Sequence, residues 1–407
     1  MIYRCHGIAF VFLLAAPFAF WADEGDDRAA AMVKKFDGVA VRDAKIAGNP
    51  IVKVMVVYDK FDDDAFELLA GLKSLQELDL SGTRVTDAGM QHLRNLQELK
   101  SVSLRFTRIG DAGLKELRGL RQLRFLDLRD TKATGEGLLN LRDLPELRSL
   151  HLGGVASAWS KATVQQKPTS ALTDEGLQAI RDFKALQVLS ISGTPISDVG
   201  LAAIRKQVQL MELDLAGTQI TNSGLKDLRD LKKLQKLNLF GTRVNDVGLK
   251  ELRHLHGLRT LNLQQTEVTD AGLLELSDLK DLQEINLAGL AITDKGMKAI
   301  GPMRAMQELN LTGAKITNTG LKELSDHKNL QILKLGYTGV TDGGLKDLQS
   351  LPRLRELYLA GTATTDASLK HFRSFASLQM LELSETKVTE KGLLELQKDR
   401  PKLLVYR

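Results

Sequence analysis

Histidines are the residues of this 407-residue chain whose types most directly suggest catalysis or metal binding. His254 and His256 are spaced to chelate a metal ion, yet no third ligand stands near them in the sequence. His92 and His371 occupy equivalent positions of distant segments and cannot meet. His327 stands where related segments carry Leu, Met or Phe, which indicates a hydrogen-bonded, half-buried side chain. We therefore expect no metal site and no cofactor.

Glycine-rich turns are the second candidate for chemistry. The pattern G-T-x-x-[TS]-D-x-G-L superficially suggests a phosphate-cradling loop, but it lacks the P-loop lysine and the G-x-G-x-x-G spacing. The pattern also returns along almost the whole chain, which indicates a structural turn. No G-x-S-x-G, H-E-x-x-H or Ser/His/Asp arrangement stands apart from it. We predict that the protein has no catalytic residues and is not an enzyme.

The elements that position these residues are copies of one unit of 24 residues. In LQELDL, Leu78 and Leu80 alternate with polar residues, which is the period of a half-buried strand. Every step between copies is 24 residues except that from Leu147 to Leu186, which carries an insertion of 15 residues. Aligned on L-x-x-L-x-L, the copies start at Ile51, Leu75, Leu99, Leu123, Leu147, Leu186, Leu210, Leu234, Leu258, Leu282, Met306, Leu330, Leu354 and Leu378. Each copy predicts a strand, a tight turn and a short helix, and stacked copies bury a continuous core.

The full pattern, L-x-x-L-x-L-x-x-T-x-[VI]-T-D-x-G-L-x-x-L, resembles a leucine-rich repeat over roughly residues 51–407. Its second half is similar to the cysteine-containing subtype of F-box proteins, with Thr in place of Cys, and to bacterial exported proteins that carry this Thr version. The resemblance implies an α/β fold: a right-handed solenoid (horseshoe) with a parallel β-sheet on the concave face and short helices on the convex face. Spacing supports the curvature, because parallel strands lie about 4.8 Å apart whereas packed helices need about 8–10 Å.

Two sets of polar residues recur at fixed positions of the repeat, and we call each set a column. Asp or Asn opens most of the predicted helices, as at Asp87, and we interpret these residues and the neighbouring Thr as N-caps. A second Thr follows most strands, and we hypothesise that its hydroxyl binds turn backbone that the sheet leaves unpaired. The members of this second column are Thr83, Thr107, Thr131, Thr194, Thr218, Thr242, Thr266, Thr338, Thr362 and Thr386.

The N-terminal residues predict export. Arg4 precedes the apolar run 8–22, and acidic residues follow at once. The run is short for a membrane span of about 20 residues, and residues 1–22 are either a cleaved signal peptide or an uncleaved anchor. Residues 23–50 are predicted to cap the first repeat, whereas the C-terminal end shows no comparable cap. Edge-to-edge dimerisation of an otherwise monomeric chain stays open.

Residues that depart from the repeat pattern are the candidates for binding a partner. Bulky or cationic side chains near the exposed sheet face favour an interface, since aromatic residues and Arg carry much of the energy of protein contacts. The inserted loop, about 155–171, either adds to this surface or packs back on the rim. The predicted partner-binding residues are Arg105, Phe106, Phe125, Arg129, His151, Trp159, Phe240, Tyr337 and Tyr358.

Composition narrows the function further. A net charge of +5 without dense basic runs, and 5% aromatic residues, argue against nucleic acid. We expect a non-enzymatic, exported protein–protein interaction scaffold, in the periplasm, outside the cell or on the envelope, that binds a protein partner on the concave face and rim. The alternative is a cell-envelope or polysaccharide-binding or structural module tethered to a membrane by its N-terminus.

Overall fold

One sheet organises the molecule. The computed structural model describes residues 23–56, 60–154 and 172–407. Sixteen strands lie in the sheet in chain order; β1 runs antiparallel to β2, and each later strand is parallel to the one before. The strands are β1 (Val39–Arg42), β2 (Ile51–Met55), β3 (Glu77–Asp79), β4 (Ser101–Ser103), β5 (Phe125–Asp127), β6 (Ser149–His151), β7 (Val188–Ser190), β8 (Glu212–Asp214), β9 (Lys236–Asn238), β10 (Thr260–Asn262), β11 (Glu284–Asn286), β12 (Glu308–Asn310), β13 (Ile332–Lys334), β14 (Glu356–Tyr358), β15 (Met380–Glu382) and β16 (Leu404–Tyr406).

Short helices return the chain from one strand to the next. The α-helices are α1 (Asp23–Lys35), α2 (Asp63–Glu67), α3 (Asp111–Leu114), α4 (Gly135–Leu139), α5 (Asp174–Leu177), α6 (Asp198–Leu201), α7 (Asp246–Leu249), α8 (Asp270–Leu274), α9 (Asp294–Ile300), α10 (Asn318–Leu321), α11 (Asp342–Leu345), α12 (Leu369–Phe372) and α13 (Glu390–Asp399). Turns of 3-10 helix cover Gly89–Leu93, Lys115–Leu117, Gln178–Asp182, Ala202–Lys206, Gly224–Leu228, Leu252–His254, Lys322–Leu324, Lys346–Ser350 and Asp366–Ser368. None of the helices in the described ranges is long and apolar enough to span a bilayer.

Leucine spacing sets the register, as predicted. Leu237, Leu261 and Leu309 lie in one row with Ile285 across β9–β12, and each is at most 1% exposed. A one-residue slip would turn every such side chain out of the core, so the repeat fixes the pairing of all parallel strands. The leucine-rich-repeat horseshoe predicted from the sequence, with its parallel sheet on the concave face and helices on the convex face, is confirmed.

The Thr column after the strands forms the predicted hydrogen bonds. In each of the ten Thr residues the side-chain Oγ1 donates to the carbonyl oxygen three residues earlier, at 2.6–2.7 Å. Thr242, for example, donates to Leu239 O and is 3% exposed. The hydroxyl thus satisfies a carbonyl at the point where the chain leaves the sheet.

The Asp column has a different role from the N-cap interpretation, which is wrong for these residues. In most repeats the residue before the Asp caps the helix; Thr293 Oγ1, for instance, accepts from Lys295 N, whereas Gly110 and Thr341 make no side-chain cap. The Asp is the first helical residue, and its carboxylate reaches forward to the next repeat: Asp270 accepts from Thr293 N at 2.8 Å and from Thr293 Oγ1 at 2.6 Å. We call this double contact the carboxylate clamp. It joins Asp63 to Thr86, Asp111 to Thr134, Asp174 to Ser197, Asp198 to Thr221, Asp246 to Thr269, Asp270 to Thr293, Asp294 to Thr317, Asp342 to Thr365 and Asp366 to Thr389.

The clamp explains the consensus glycine found two residues after most of these Asp residues, Asp63 and Asp366 being the exceptions. A Cβ placed on Gly296 would lie 2.4 Å from Oδ1 of Asp270, and one on Gly272 would lie 2.4 Å from Oδ1 of Asp246. The carboxylate of one repeat therefore occupies the space that a side chain of the next repeat would need.

The two ends of the described solenoid differ in how they are covered. In α1, Ala29 and Val33 are at most 1% exposed, and β1 pairs with the first strand of the repeats. At the other end Arg400 Nη1 donates to the carbonyls of Phe372 and Phe375, and its Nη2 donates to Leu378 O at 2.9 Å. This guanidinium satisfies carbonyls of the preceding repeat, but no element of the described chain covers β16, where Leu404 and Tyr406 are more than half exposed.

Candidate functional site

A groove on the sheet face near the N-terminal end brings together four of the predicted partner-binding residues. It encloses about 440 Å³ and is lined by Arg105, Phe106, Phe125 and Arg129 together with residues of β2–β5. The small side chains of Ser101 and Ser103 on β4 lower the floor between larger neighbours. Sequence alone grouped these four residues, and the structure adds the small residues that make the surface concave.

Charges in this groove are paired within the chain. Lys53 lies 2.8 Å from Glu77, and the guanidinium of Arg129 donates to both carboxylate oxygens of Asp127. Asp127 is only 3% exposed, and this hydrogen bond is the first cause of the raised pKa of Arg129. Since each lining cation has an acidic neighbour, the groove offers hydrogen-bonding groups rather than a strong net field.

Arg105 and Phe106 form the rim of the groove. The guanidinium carbon of Arg105 lies 4.5 Å from the ring centroid of Phe106, within the range of a cation–π contact. Nε of Arg105 lies 3.8 Å from Oδ2 of Asp130 in the following repeat. The ring of Phe106 nonetheless remains 48% exposed, so it is available to a partner.

Phe125 and His151 form one aromatic contact beside this groove. Their ring centroids lie 5.1 Å apart, and Nε2 of His151 is 2.9 Å from the hydroxyl of Ser149. Burial lowers the pKa of His151, with Arg129 acting in the same direction and Asp127 against both. The imidazole is therefore neutral at pH 7 and serves as an aromatic and hydrogen-bonding surface.

At one position on the rim the fold favours glycine and disfavours residues with side chains. Just before the buried Thr, the backbone adopts positive φ, and glycine fills this position at Gly82, Gly193, Gly217, Gly241, Gly289, Gly313 and Gly361. Five other residues hold the same conformation: Phe106 and Tyr337 at φ 57° and 56°, with large side chains, and Asp130, Gln265 and Glu385 with polar ones. A non-glycine residue in this region costs of order 1–3 kcal/mol, and such strain is concentrated at functional sites. Sequence inspection flagged both aromatics as bulky but gave no sign of their backbone strain.

The two predicted tyrosines lie near the C-terminal end in different settings. Tyr337 stands on the rim, 55% exposed, and its hydroxyl donates to Glu385 at 3.1 Å. Tyr358 lies on the sheet in β14, where its hydroxyl donates to Glu356 at 2.8 Å and the ammonium of Lys334 is 5.6 Å from its ring. Burial, followed by the hydrogen bond to Glu356, raises the pKa of Tyr358 to about 12.

The remaining predicted partner-binding residues lie neither in the groove nor beside the two tyrosines. Phe240 follows β9, far along the sheet from the groove, and is partly exposed. Trp159, the inserted loop 155–171 and the predicted export segment 1–22 lie outside the described residues. Groups of three or more His, Cys, Asp or Glu able to hold a metal are absent from the described part of the chain.

The polar residues at strand ends are partly structural, which the sequence did not reveal. Oδ1 of Asn238, Asn262, Asn286 and Asn310 accepts from the backbone N–H two residues later, at 3.1 Å in each case. These side chains therefore shape the turn after the strand, as local Asx hydrogen bonds do. Their regular column reflects this turn and is not by itself a binding signal.

His327 is more buried than the expected half-buried side chain. It is 0% exposed, and its Nε2 lies 3.1 Å from the carbonyl oxygen of Ile300 in the preceding repeat. Gln207 occupies the equivalent position and donates to Ile180 O at 2.7 Å. Burial lowers the pKa of His327, so the ring is neutral at pH 7. Both side chains replace a core Leu and satisfy a carbonyl at the end of the preceding helix.

Comparisons with known proteins agree with this architecture. A model described as a leucine-rich repeat region matches residues 169–394, and a second leucine-rich-repeat model matches residues 71–93 and 95–117. Comparison with curated proteins gives no significant match.

Solved structures with the same fold include two bacterial proteins. A leucine-rich-repeat protein of Leptospira interrogans is 22% identical, with 84% of this chain and 92% of that chain covered and a TM-score of 0.54. An internalin of Listeria monocytogenes is 18% identical, with 91% and 93% covered and a TM-score of 0.52. Since the first family model covers more than half of the residues, the chain belongs to the leucine-rich-repeat family.

Proposed function

We propose that this protein is a non-enzymatic, exported scaffold that binds a protein partner on the concave sheet face and the adjoining rim. The observation that carries the proposal is the groove lined by Arg105, Phe106, Phe125 and Arg129. It places two aromatic rings and two guanidinium groups on a sheet face whose other strand positions are mostly small or polar. These are the side-chain types that dominate the energy of protein interfaces.

Rigidity supports this proposal. The groove floor consists of parallel strands in fixed register, and Asp127 holds the guanidinium of Arg129 in place through a bidentate contact. A preorganised surface loses little conformational entropy on binding, so more of its contact energy appears as affinity.

The strained position of Phe106 supports the same proposal. Seven repeats place glycine there, and Asp130, Gln265 and Glu385 hold the same conformation with polar side chains, whereas Phe106 presents an aromatic residue that is 48% exposed. An exposed aromatic residue on the rim is available to a partner.

Photo-crosslinking tests the proposal directly. A benzophenone amino acid placed at Ser101, inside the groove, should capture a discrete protein from envelope or extracellular fractions of the source cells. The same group at Lys322, on the helical side, is the matched control. Phe125→Ala in the Ser101 variant should abolish the captured band. Equal labelling from both positions, or a band that survives Phe125→Ala, would remove the groove from the proposal.

Export is the second part of the proposal, based on Arg4 and the apolar run 8–22. Sequencing the N-terminus of the protein recovered from the envelope and from the medium tests it. A start near residue 23 supports release after cleavage, an intact N-terminus in the membrane fraction supports a tethered form, and an intact chain in the cytoplasm contradicts export.

A further inference from the structure

Tyr337 occupies the C-terminal counterpart of the strained rim position held by Phe106. It follows β13, nine strands beyond the β4 strand that precedes Phe106. Its ring lies against the next repeat, since a Cβ built on Gly361 would be 2.4 Å from Cδ1 of Tyr337. With one side of the ring resting on Gly361 and the side chain 55% exposed, the rest of the ring faces solvent.

The two rim aromatics differ in one contact. The residue before Phe106 is Arg105, and its guanidinium lies over the aromatic ring. The residue before Tyr337 is Gly336, which has no side chain. Among the described residues, no cation lies over the Tyr337 ring as Arg105 lies over Phe106.

Acidic groups surround Tyr337 and its neighbour Tyr358. Glu385 accepts the hydroxyl of Tyr337, and Glu356 accepts that of Tyr358. Glu382 is held by the backbone N–H groups of Ala360 and Ser384, each at 2.9 Å. With Glu308 and the single cation Lys334, the patch has four carboxylates and one ammonium, a net charge of −3, unlike the internally paired N-terminal groove.

Lys334 shows what this patch can bind. Its ammonium lies 2.6 Å from Glu308 Oε1 and 5.6 Å from the ring of Tyr358, between a carboxylate and an aromatic face. The same pair of groups, a carboxylate and an aromatic face, exists at Glu385 and Tyr337 without a cation of the described chain. Aromatic faces and carboxylates both attract ammonium and guanidinium groups.

We propose that Tyr337, Glu382 and Glu385 form a docking site for an arginine or lysine side chain carried by a basic segment of a protein partner. The partner's cation takes the place over the Tyr337 ring that Arg105 takes over Phe106, and Gly336 leaves that place open. Charge complementarity selects the occupant, because the four carboxylates of the patch outnumber its one ammonium. The site lies at the opposite end of the sheet from the groove and does not depend on the groove's function.

A direct binding measurement tests this site. The probe is a short fluorescent peptide of alternating arginine and serine, titrated with the full-length protein at low salt and followed by anisotropy. We expect saturable binding that weakens as salt rises, and little binding of the matching glutamate–serine peptide. Tyr337→Gly should weaken binding about tenfold, a loss near 1.4 kcal/mol. This variant should fold well, because glycine is the usual residue at the position.

Two further variants make the result specific. Gly336→Arg supplies a cation from the chain itself and should weaken binding to a similar degree; its Cβ would meet only Ala360 O at 3.3 Å and two carbon atoms at 3.6 Å. Gln265→Gly, the same change at a residue with this backbone conformation outside both sites, should leave the affinity unchanged. The proposal is overturned if Tyr337→Gly binds like wild type, if Gln265→Gly weakens binding as much, or if both peptides bind alike.

Discussion

Two junctions between neighbouring repeats differ in what fills them, and their difference shows why the repeat consensus contains Asp and Gly. Along the regular tract, as from Asp270 to Thr293, a carboxylate bridges the two repeats with two hydrogen bonds. The junction across the insertion has Gly135 at the Asp position, and no clamp joins it to the next described repeat. There the backbone itself fills the gap, since a Cβ on Gly135 would lie only 2.0 Å from Cα of Gly176.

The consensus glycine is thus required by atoms of the neighbouring repeat and not by its own backbone conformation. In clamped junctions it makes room for a carboxylate, and at Gly176 it makes room for another glycine. Four substitutions, taken in decreasing order of the expected change in stability, test these contacts.

Gly135→Ala should be the most damaging of these substitutions. The added methyl group meets backbone atoms of Gly176, which no side-chain rotation can relieve. Overpacking of this kind costs about 3 kcal/mol or more, exceeding the gain of about 1 kcal/mol from replacing glycine in a helix. Urea unfolding followed by circular dichroism measures the loss. Gly119→Ala, where the nearest atom is 3.8 Å away, is the control, and a similar loss there would contradict the explanation.

Gly272→Ala should destabilise the protein by about 2–3 kcal/mol, but in a way that a second change partly relieves. The methyl group displaces the carboxylate of Asp246 and breaks its two hydrogen bonds to Thr269. In the double variant with Asp246→Ala that displacement no longer occurs. We expect the free energy lost by the double variant to be at least 1 kcal/mol less than the sum of the two single losses. Strict additivity would show that the glycine and the carboxylate are not coupled.

Thr242→Val should cost about 1 kcal/mol by removing the hydroxyl that donates to Leu239 O. The backbone N–H of residue 242 still reaches the same carbonyl, which limits the loss. The melting temperature should fall by a few degrees, measured beside the exposed control Thr319→Val. An unchanged melting temperature would show that the Thr column contributes nothing to stability at this junction.

His327→Gln should change the pH dependence of the free energy of unfolding more than it changes the free energy itself. Burial lowers the pKa of folded His327 below the value of 6.5 expected for the unfolded chain. Below pH 6.5 the unfolded state therefore binds more protons, so this histidine makes stability fall with decreasing pH and adds no slope at higher pH. Glutamine, already used at Gln207, should flatten the slope between pH 5 and 6.5. An identical slope in both proteins would mean that His327 protonates without loss in the folded state.

The sequence predicted the strands and their register because Leu spacing depends only on which side chains must be buried together. It could not assign the Asp column correctly. A clamp such as that from Asp270 to Thr293 links residues 23 positions apart and exists only after repeats have stacked. The Thr cap needed no such contact and was predicted from local sequence alone. The hydrogen bonds of Arg400 could not be predicted for the same reason, since its carbonyl partners lie 22–28 residues earlier.

The candidate site was predicted in part. Phe125 and His151 fall in adjacent strands, so their contact followed from the repeat alignment. The pairing of Arg129 with Asp127 depends on side-chain rotamers, which no repeat pattern encodes. Backbone strain at Phe106 and Tyr337 became visible only by comparing φ at equivalent turns. Position in the repeat could be predicted from sequence, whereas side-chain direction and backbone strain could not.

The forward reach of the clamp gives the stack a direction. Each Asp contacts the repeat that follows it, as Asp246 does with Thr269 and Asp270 with Thr293. During folding, a repeat that carries this Asp presents an acceptor pair on the side where the next repeat will stack. The next repeat can then assemble on an ordered template, so stacking is favoured from the first repeat towards the last.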